Sequence, residues 1–273
     1  MEISYPHSFE KLLQSFDSKN VYNYIGQGNP ASNILIIGNE CTAEDTPPEF
    51  HYTHETKENF EKWQAHCANN EGWEAIQESE KFDPLCPWKG WKYRGNWKAE
   101  GRDSSKTWNA YQEFINYLLP PSLIVNEKEQ YNFWQHCFIT ELSTNNQKHS
   151  SQIRDDATAK SIEVRLKSEA GILRADFFQE FPIIILGCYH YKDLYKIDIP
   201  KCFNQTYIGL AWKHERLHEF IHAHRHISED GKPHLLLHTN HFAMRSHDFI
   251  KAVADKCKKF MDEYGISILK SAK

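Results

Sequence analysis

The chain contains no Cys-x-x-Cys pair. Its 7 cysteines stand apart at 41, 67, 86, 137, 188, 202 and 257, so neither a zinc ribbon nor ordinary iron–sulfur spacing is indicated. The odd count, with Cys137 and Cys188 in or beside apolar strand-like runs, points to reduced thiols in a cytosol. No apolar run approaches the length of a membrane span, and no secretory leader pattern is visible. These absences set the expectation of a cytoplasmic protein with no membrane partner. Positive charge is not in excess either. The net charge is −5, so binding to nucleic acid needs a local basic patch rather than a basic molecule. Internal repeats and low-complexity tracts are also lacking.

What is present fits a soluble globular protein. At 273 residues, 40% hydrophobic and 25% charged, the chain can form one large α/β domain or two small ones. Aromatic residues reach 14%, with 8 Trp and 13 Tyr, a content that serves stacking surfaces and thick cores alike.

Short apolar runs predict the strands. Asn33-Ile-Leu-Ile-Ile-Gly38 is apolar on both faces and closed by glycine, as a central parallel strand would be. Cys137-Phe-Ile-Thr-Glu-Leu142, Pro182-Ile-Ile-Ile-Leu-Gly187 and the run around Leu235, Leu236 and Leu237 read the same way. Between them the spacing predicts helices over 8–16 and about 56–70, then Trp108 to Leu119 capped by Thr107 and stopped by Pro120-Pro121. A long helix is predicted over Ala157–Phe181, and a last one starts from the N-cap Ser246. From Phe220 to Ile227 histidines alternate with other residues at period two, which predicts a strand. This order suggests a three-layer α/β/α sandwich around a four-stranded, mainly parallel sheet, as one domain over 1–273.

Ligands of open α/β sheets bind beyond the carboxyl ends of the strands. The last strand turns polar there, giving His238, Thr239, Asn240 and His241, a candidate site in a chain that holds 16 His. The irregular segment 43–106 reads as a lid over those ends. Within it Trp88, Trp91, Tyr93 and Trp97 alternate with Lys89, Lys92, Arg94 and Lys98. Cations attract phosphate while aromatic faces stack on bases, so the mixture suits single-stranded or flipped nucleotides. Tryptophans folded inward over the core would give the same pattern.

One motif competes. His218-Glu-Phe-Ile-His222 matches His-Glu-x-x-His, which on a helix would present two imidazoles to zinc with Glu219 as general base. The surrounding alternation favours a strand, which separates the two histidines. The zinc hydrolase is therefore an alternative, and the favoured assignment has no metal and no cofactor.

Four strand ends now stand in order: Gly38-Asn-Glu-Cys41, Ile139-Thr-Glu-Leu142, Leu186-Gly-Cys-Tyr-His190 and His238-Thr-Asn-His-Phe-Ala243. This layout resembles the uracil-DNA glycosylase superfamily over most of 30–265, with the insert uncovered. The resemblance implies N-glycosidic hydrolysis of a flipped-out base in nucleic acid, with DNA favoured over RNA, or binding of a nucleotide. It assigns Asn39 or Glu40 to activating water and His241, or else His238, to donating to the carbonyl oxygen of the departing base. Cys41, Glu141, Asn240, Trp88 and Trp91 join His238 as substrate-binding candidates. A donor at the base oxygen stabilises the negative charge that grows there, and a carboxylate near the sugar stabilises the cation and positions water.

Two departures from the family pattern carry chemistry. Thr140-Glu141 stands where the family has a base-reading Asn, and an ionised Glu only accepts hydrogen bonds. It would suit a base offering an amino donor, such as cytosine, and repel an anionic leaving base. Phe242 and Ala243 replace the Pro and Ser that follow the family histidine. A catalytically silent protein that reads a nucleotide or modified base in the same pocket is the other alternative.

Overall fold

The computed structural model describes residues 5–42, 52–69, 83–96, 104–147, 155–229, 231–243 and 245–268, with backbone alone at 40–42, 52–57, 146 and 147. Among them, seven strands form one mixed sheet rather than four: β1 (Gln27–Gly28), β2 (Ile34–Thr42), β3 (Phe138–Gln147), β4 (Ile183–Leu186), β5 (Thr206–His214), β6 (Glu219–Ile227) and β7 (Pro233–Thr239). The spatial order is β1-β3-β2-β4-β7-β6-β5. The four expected strands are the central parallel ones, with β2 paired to β3 and β4, and β4 paired to β7. Antiparallel strands flank them: β1 beside β3, and the β5–β6 hairpin beside β7.

The extra strands escaped the apolar pattern for physical reasons. Two-residue β1 is too short for a period. Strand β5 is an edge, with Tyr207, Ile208 and Leu210 each at least half exposed and no residue fully buried, so neither face is marked by hydrophobicity. The period-two stretch 220–227 is β6, as its alternation predicts.

Helices cover both faces. Strand residue Phe138 meets Phe9 of α1 (His7–Ser15), Trp63 of α2 (Tyr52–Ala68) and Phe177 of α5 (Asp176–Gln179), with centroid distances of 5.2–6.2 Å. On the other face, α3 (Lys106–Leu118) lies beside α8 (His247–Tyr264), and Phe242 joins them by packing on Tyr111, Phe114 and Phe249. Ser246 caps α8 as predicted, accepting from Phe249 N. Ser105, not Thr107, stands at the N-cap of α3.

The long helix over 157–181 is not formed. The chain makes α4 (Asp156–Ile162), a π-turn over Glu163–Lys167, a 3₁₀ turn over Ile172–Arg174, and α5. The fully buried Arg165 donates to the carbonyls of Tyr22, Tyr24 and Glu141. The π-turn widens the helix at the point where this guanidinium enters, with its Nη atoms on backbone carbonyls.

The lid also needs revision. Positions 43–51, 70–82 and 97–103, which include Trp97 and Lys98, lie outside the described residues. Of the rest, α2 is part of a helical layer: Phe60 and Trp63 are buried, and Asn59 bonds Ile25 N and Gly26 O. Segment 83–96 faces inward as well. Trp88 is 2% exposed against Phe133 and Trp108, and Trp91 packs on Trp108 at 4.7 Å. The cations point out, and Arg94 is neutralised by Glu113 and Glu127. The aromatic–basic alternation thus separates core from surface, and Trp88 is not available for stacking on a base.

Candidate functional site

The chain leaves β2 toward β3 on one side and β4 toward β7 on the other, so the crevice between the ends of β2 and β4 is the topological switch point. Two glycines form its floor. Gly38 on β2 pairs in register with Glu141 on β3, and a Cβ built on Gly38 would lie 2.1 Å from Glu141 Oε2. The carboxylate therefore occupies the space a side chain at 38 would take. One strand over, Gly187 donates its N–H to Ile37 O at 2.9 Å. A Cβ on Gly187 would meet His241 Cα at 3.6 Å and Asn240 O at 3.8 Å. Glu141 thus leans over one glycine and the His241 backbone over its neighbour, on strands that run about 4.8 Å apart.

Both lie on the α3/α8 side. Phe138, in register with Leu35, faces α1 and α5, so strand alternation turns Gly38 and Glu141 to the opposite face. The same alternation sends Asn39, which is buried, to the α1/α5 side, away from Glu141. Asn39, one of the two residues assigned to activating water, therefore does not share a face with Glu141. The predicted strands end at Gly38 and Leu142, whereas β2 and β3 run on to Thr42 and Gln147 with a register slip between Glu40 and Thr42. Such irregularities bend a strand and re-aim its side chains. Glu40 pairs through its backbone with Ser143, and the side chains of Glu40 and Cys41 lie outside the described residues.

His241 is half-buried and neutral. Its Nδ1 accepts the N–H of Ala243 at 3.2 Å, which leaves the proton on Nε2 and makes that atom a donor. Burial, then the positive charge of Arg245 and the neighbouring His190, pulls its pKa down to about 4. Arg245 also donates from Nε to His241 O at 3.0 Å, fixing the loop. Phe242, 1% exposed, anchors that loop in the α3/α8 layer.

The remaining candidates have other places. His238 is 2% exposed and turned to the α5 side, 4.9 Å from Tyr189 and 6.3 Å from His224 between ring centroids. Burial first, and then His224 and His222, lowers its pKa to about 3. Asn240 is a structural clamp: Oδ1 accepts from Phe220 N at 2.9 Å and Nδ2 donates to His218 O at 3.4 Å. The zinc motif is not helical. His218 sits in a turn at φ 50°, and His222 lies four residues on in β6, about 13 Å along a strand. Glu219 is buried and accepts from Ser246 N and Oγ, bracing the start of α8. Among the described residues no group of three or more His, Cys, Asp and Glu is placed to hold a metal ion, and no helix is long and apolar enough to cross a membrane.

Sequence reasoning missed Arg245 and His190, which converge on His241. The signal was weak: His190 closes the third strand-end motif without a role assigned to it, and its meeting with Arg245 depends on two loops docking. Comparison with protein-family models, with curated proteins and with solved structures finds no match. The chemistry is read from this chain's own side chains.

Proposed function

We propose that the chain is a diverged relative of the uracil-DNA glycosylase superfamily that acts on a flipped-out nucleobase in nucleic acid, DNA before RNA, by hydrolysing the N-glycosidic bond. The observation that carries this reading is the seating of the Glu141 carboxylate over Gly38 and of the His241 backbone over Gly187, on neighbouring strand ends at the switch point. The two polar groups at that floor differ in kind: Glu141 accepts, and His241 Nε2 donates.

In this reading the C1′–N bond breaks with its electron pair moving to the base, and His241 Nε2–H bonds the carbonyl oxygen where that charge collects. A neutral imidazole gives such a bond without surrendering its proton, which suits a pKa drawn far below neutrality. Water bonds to C1′ and loses its proton to a carboxylate, a role proposed for Glu40. Glu141 accepts from an exocyclic amino group, so an amino-bearing base such as cytosine or a modified cytosine is preferred to uracil.

The test is abasic-site formation on oligonucleotides carrying uracil, hypoxanthine or modified cytosine. Strand scission after alkali is expected for at least one base and is lost in Glu40→Ala and His241→Ala. Binding of every oligonucleotide with cleavage of none would favour the silent reader. One feature gives that second reading weight: an anionic Glu141 repels an anionic leaving base.

A further inference from the structure

We infer that Arg245, His190 and the flank of His241 form an anion subsite that takes a phosphate group at the mouth of the crevice. Two loops build it. The loop after β4 docks on the loop after β7 through Tyr189 N–H to Thr239 O at 3.1 Å and through the close approach of Gly187 to His241. That docking holds the start of α6 (His190–Tyr195) against the loop that carries His241, near enough for His190 to act on the His241 imidazole, while Arg245 reaches back to His241 O at 3.0 Å. Arg245 is half-buried and His190 exposed at the rim.

Among the described residues the charge at this corner has no counter-ion. Arg245 uses only Nε, on a neutral carbonyl, and neither its Nη atoms nor His190 has a carboxylate partner among the described residues. The next charged groups on α6 are Lys192, over the Tyr189 ring, and the exposed Asp193. Burial lowers the pKa of His190 and Arg245 lowers it further, and both effects act on His241 as well. A cation held against two imidazoles, with no carboxylate against it among the described residues, is a field that an oxyanion relieves. The two free Nη groups match a phosphate edge, and an imidazole N–H supplies a third donor. A carboxylate would satisfy the fork but leave His190 unused.

The phosphate could belong to a free nucleotide or to a polymer backbone, and its identity as part of a nucleic acid rests on the function proposed above. The subsite itself requires no cleavage. The experiment follows imidazole ¹⁵N resonances while inorganic phosphate replaces chloride at constant ionic strength. His190 and His241 should shift saturably, with His226, on the far part of β6, unmoved. Arg245→Gln should weaken phosphate binding by about tenfold or more, and His190→Gln, at an exposed position that folding tolerates, by several-fold. A 5′-mononucleotide and an uncleavable single-stranded oligonucleotide then separate the sources. Tighter mononucleotide binding assigns a free nucleotide. Oligonucleotide binding whose salt slope falls by about 0.7 in Arg245→Gln assigns the backbone. Absence of saturable shifts, or a phosphate affinity unchanged in both variants, overturns the subsite, and neither result depends on whether any base is released.

Discussion

Replacing Gly38 by Ala perturbs the site at one atom. The new Cβ would stand 2.1 Å from Glu141 Oε2, 2.9 Å from its Cδ and 3.0 Å from Oε1. Ordinary contact begins at 3.4 Å, so the carboxylate must retreat by 1.3 Å, the difference of 3.4 and 2.1. The atoms met belong to the end of a flexible side chain, not to backbone, so the move is inexpensive. An off-rotamer carboxylate costs about 0.5–1.5 kcal/mol. Removing glycine freedom from the unfolded chain returns about 0.4–1 kcal/mol. The two nearly cancel, and the melting temperature should move by no more than about 2–4 °C. Function should respond far more, because a misplacement near 1 Å costs about 10²-fold in a positioned reaction. The assay pairs a thermal melt with single-turnover abasic-site formation, or with oligonucleotide affinity if no base is released. A variant that keeps full function with an unchanged melt would refute the role given to the Glu141 seat. A collapse in stability would refute the claim that only the side chain yields.

Three further outcomes are expected. Trp88→Ala should lose about 3–5 kcal/mol in urea unfolding, as a buried core aromatic does, and Trp91→Ala less; a stable Trp88→Ala protein with weakened oligonucleotide binding would restore the stacking surface. Asn240→Ala strands Phe220 N and should cost about 1–3 kcal/mol by the same measurement, with no loss telling against the clamp. Stability should fall as pH drops from about 6.5 toward 4, because burial holds His136, His224 and His241 near 4 and His238 near 3 in the folded chain. The unfolded chain takes up protons in that window that the folded chain refuses, each imidazole contributing at most about 1.4 kcal/mol per pH unit. Urea midpoints at pH 7, 6 and 5 check this, and a midpoint that rises on acidification contradicts it.

The central sheet was legible because strands buried on both faces write themselves as unbroken apolar runs, as in Ile34–Ile37 and Ile183–Leu186. Strand β5 is half exposed on both sides and leaves no such mark. The break inside 157–181 comes from Arg165, whose partners Tyr22, Tyr24 and Glu141 are far away in the chain. Period two was visible in β6 and settled 218–222 against a helix. The site divides in the same way. His241 and Glu141 stood out as candidates because polar residues follow apolar strands. Their meeting over two glycines depends on register, which pairs Gly38 with Glu141 across about a hundred residues of chain. Asn39 was misplaced for a related reason: the strand runs on past Gly38, and one step along a strand changes the face.

The most direct test is a double-mutant cycle. Binding of a labelled single-stranded oligonucleotide is measured for the wild type, Glu141→Gln, His241→Ala and the double variant. Side chains that line one crevice should couple by at least about 0.5–1 kcal/mol. Losses that simply add would mean that Glu141 and His241 do not share a site, and the account would fail.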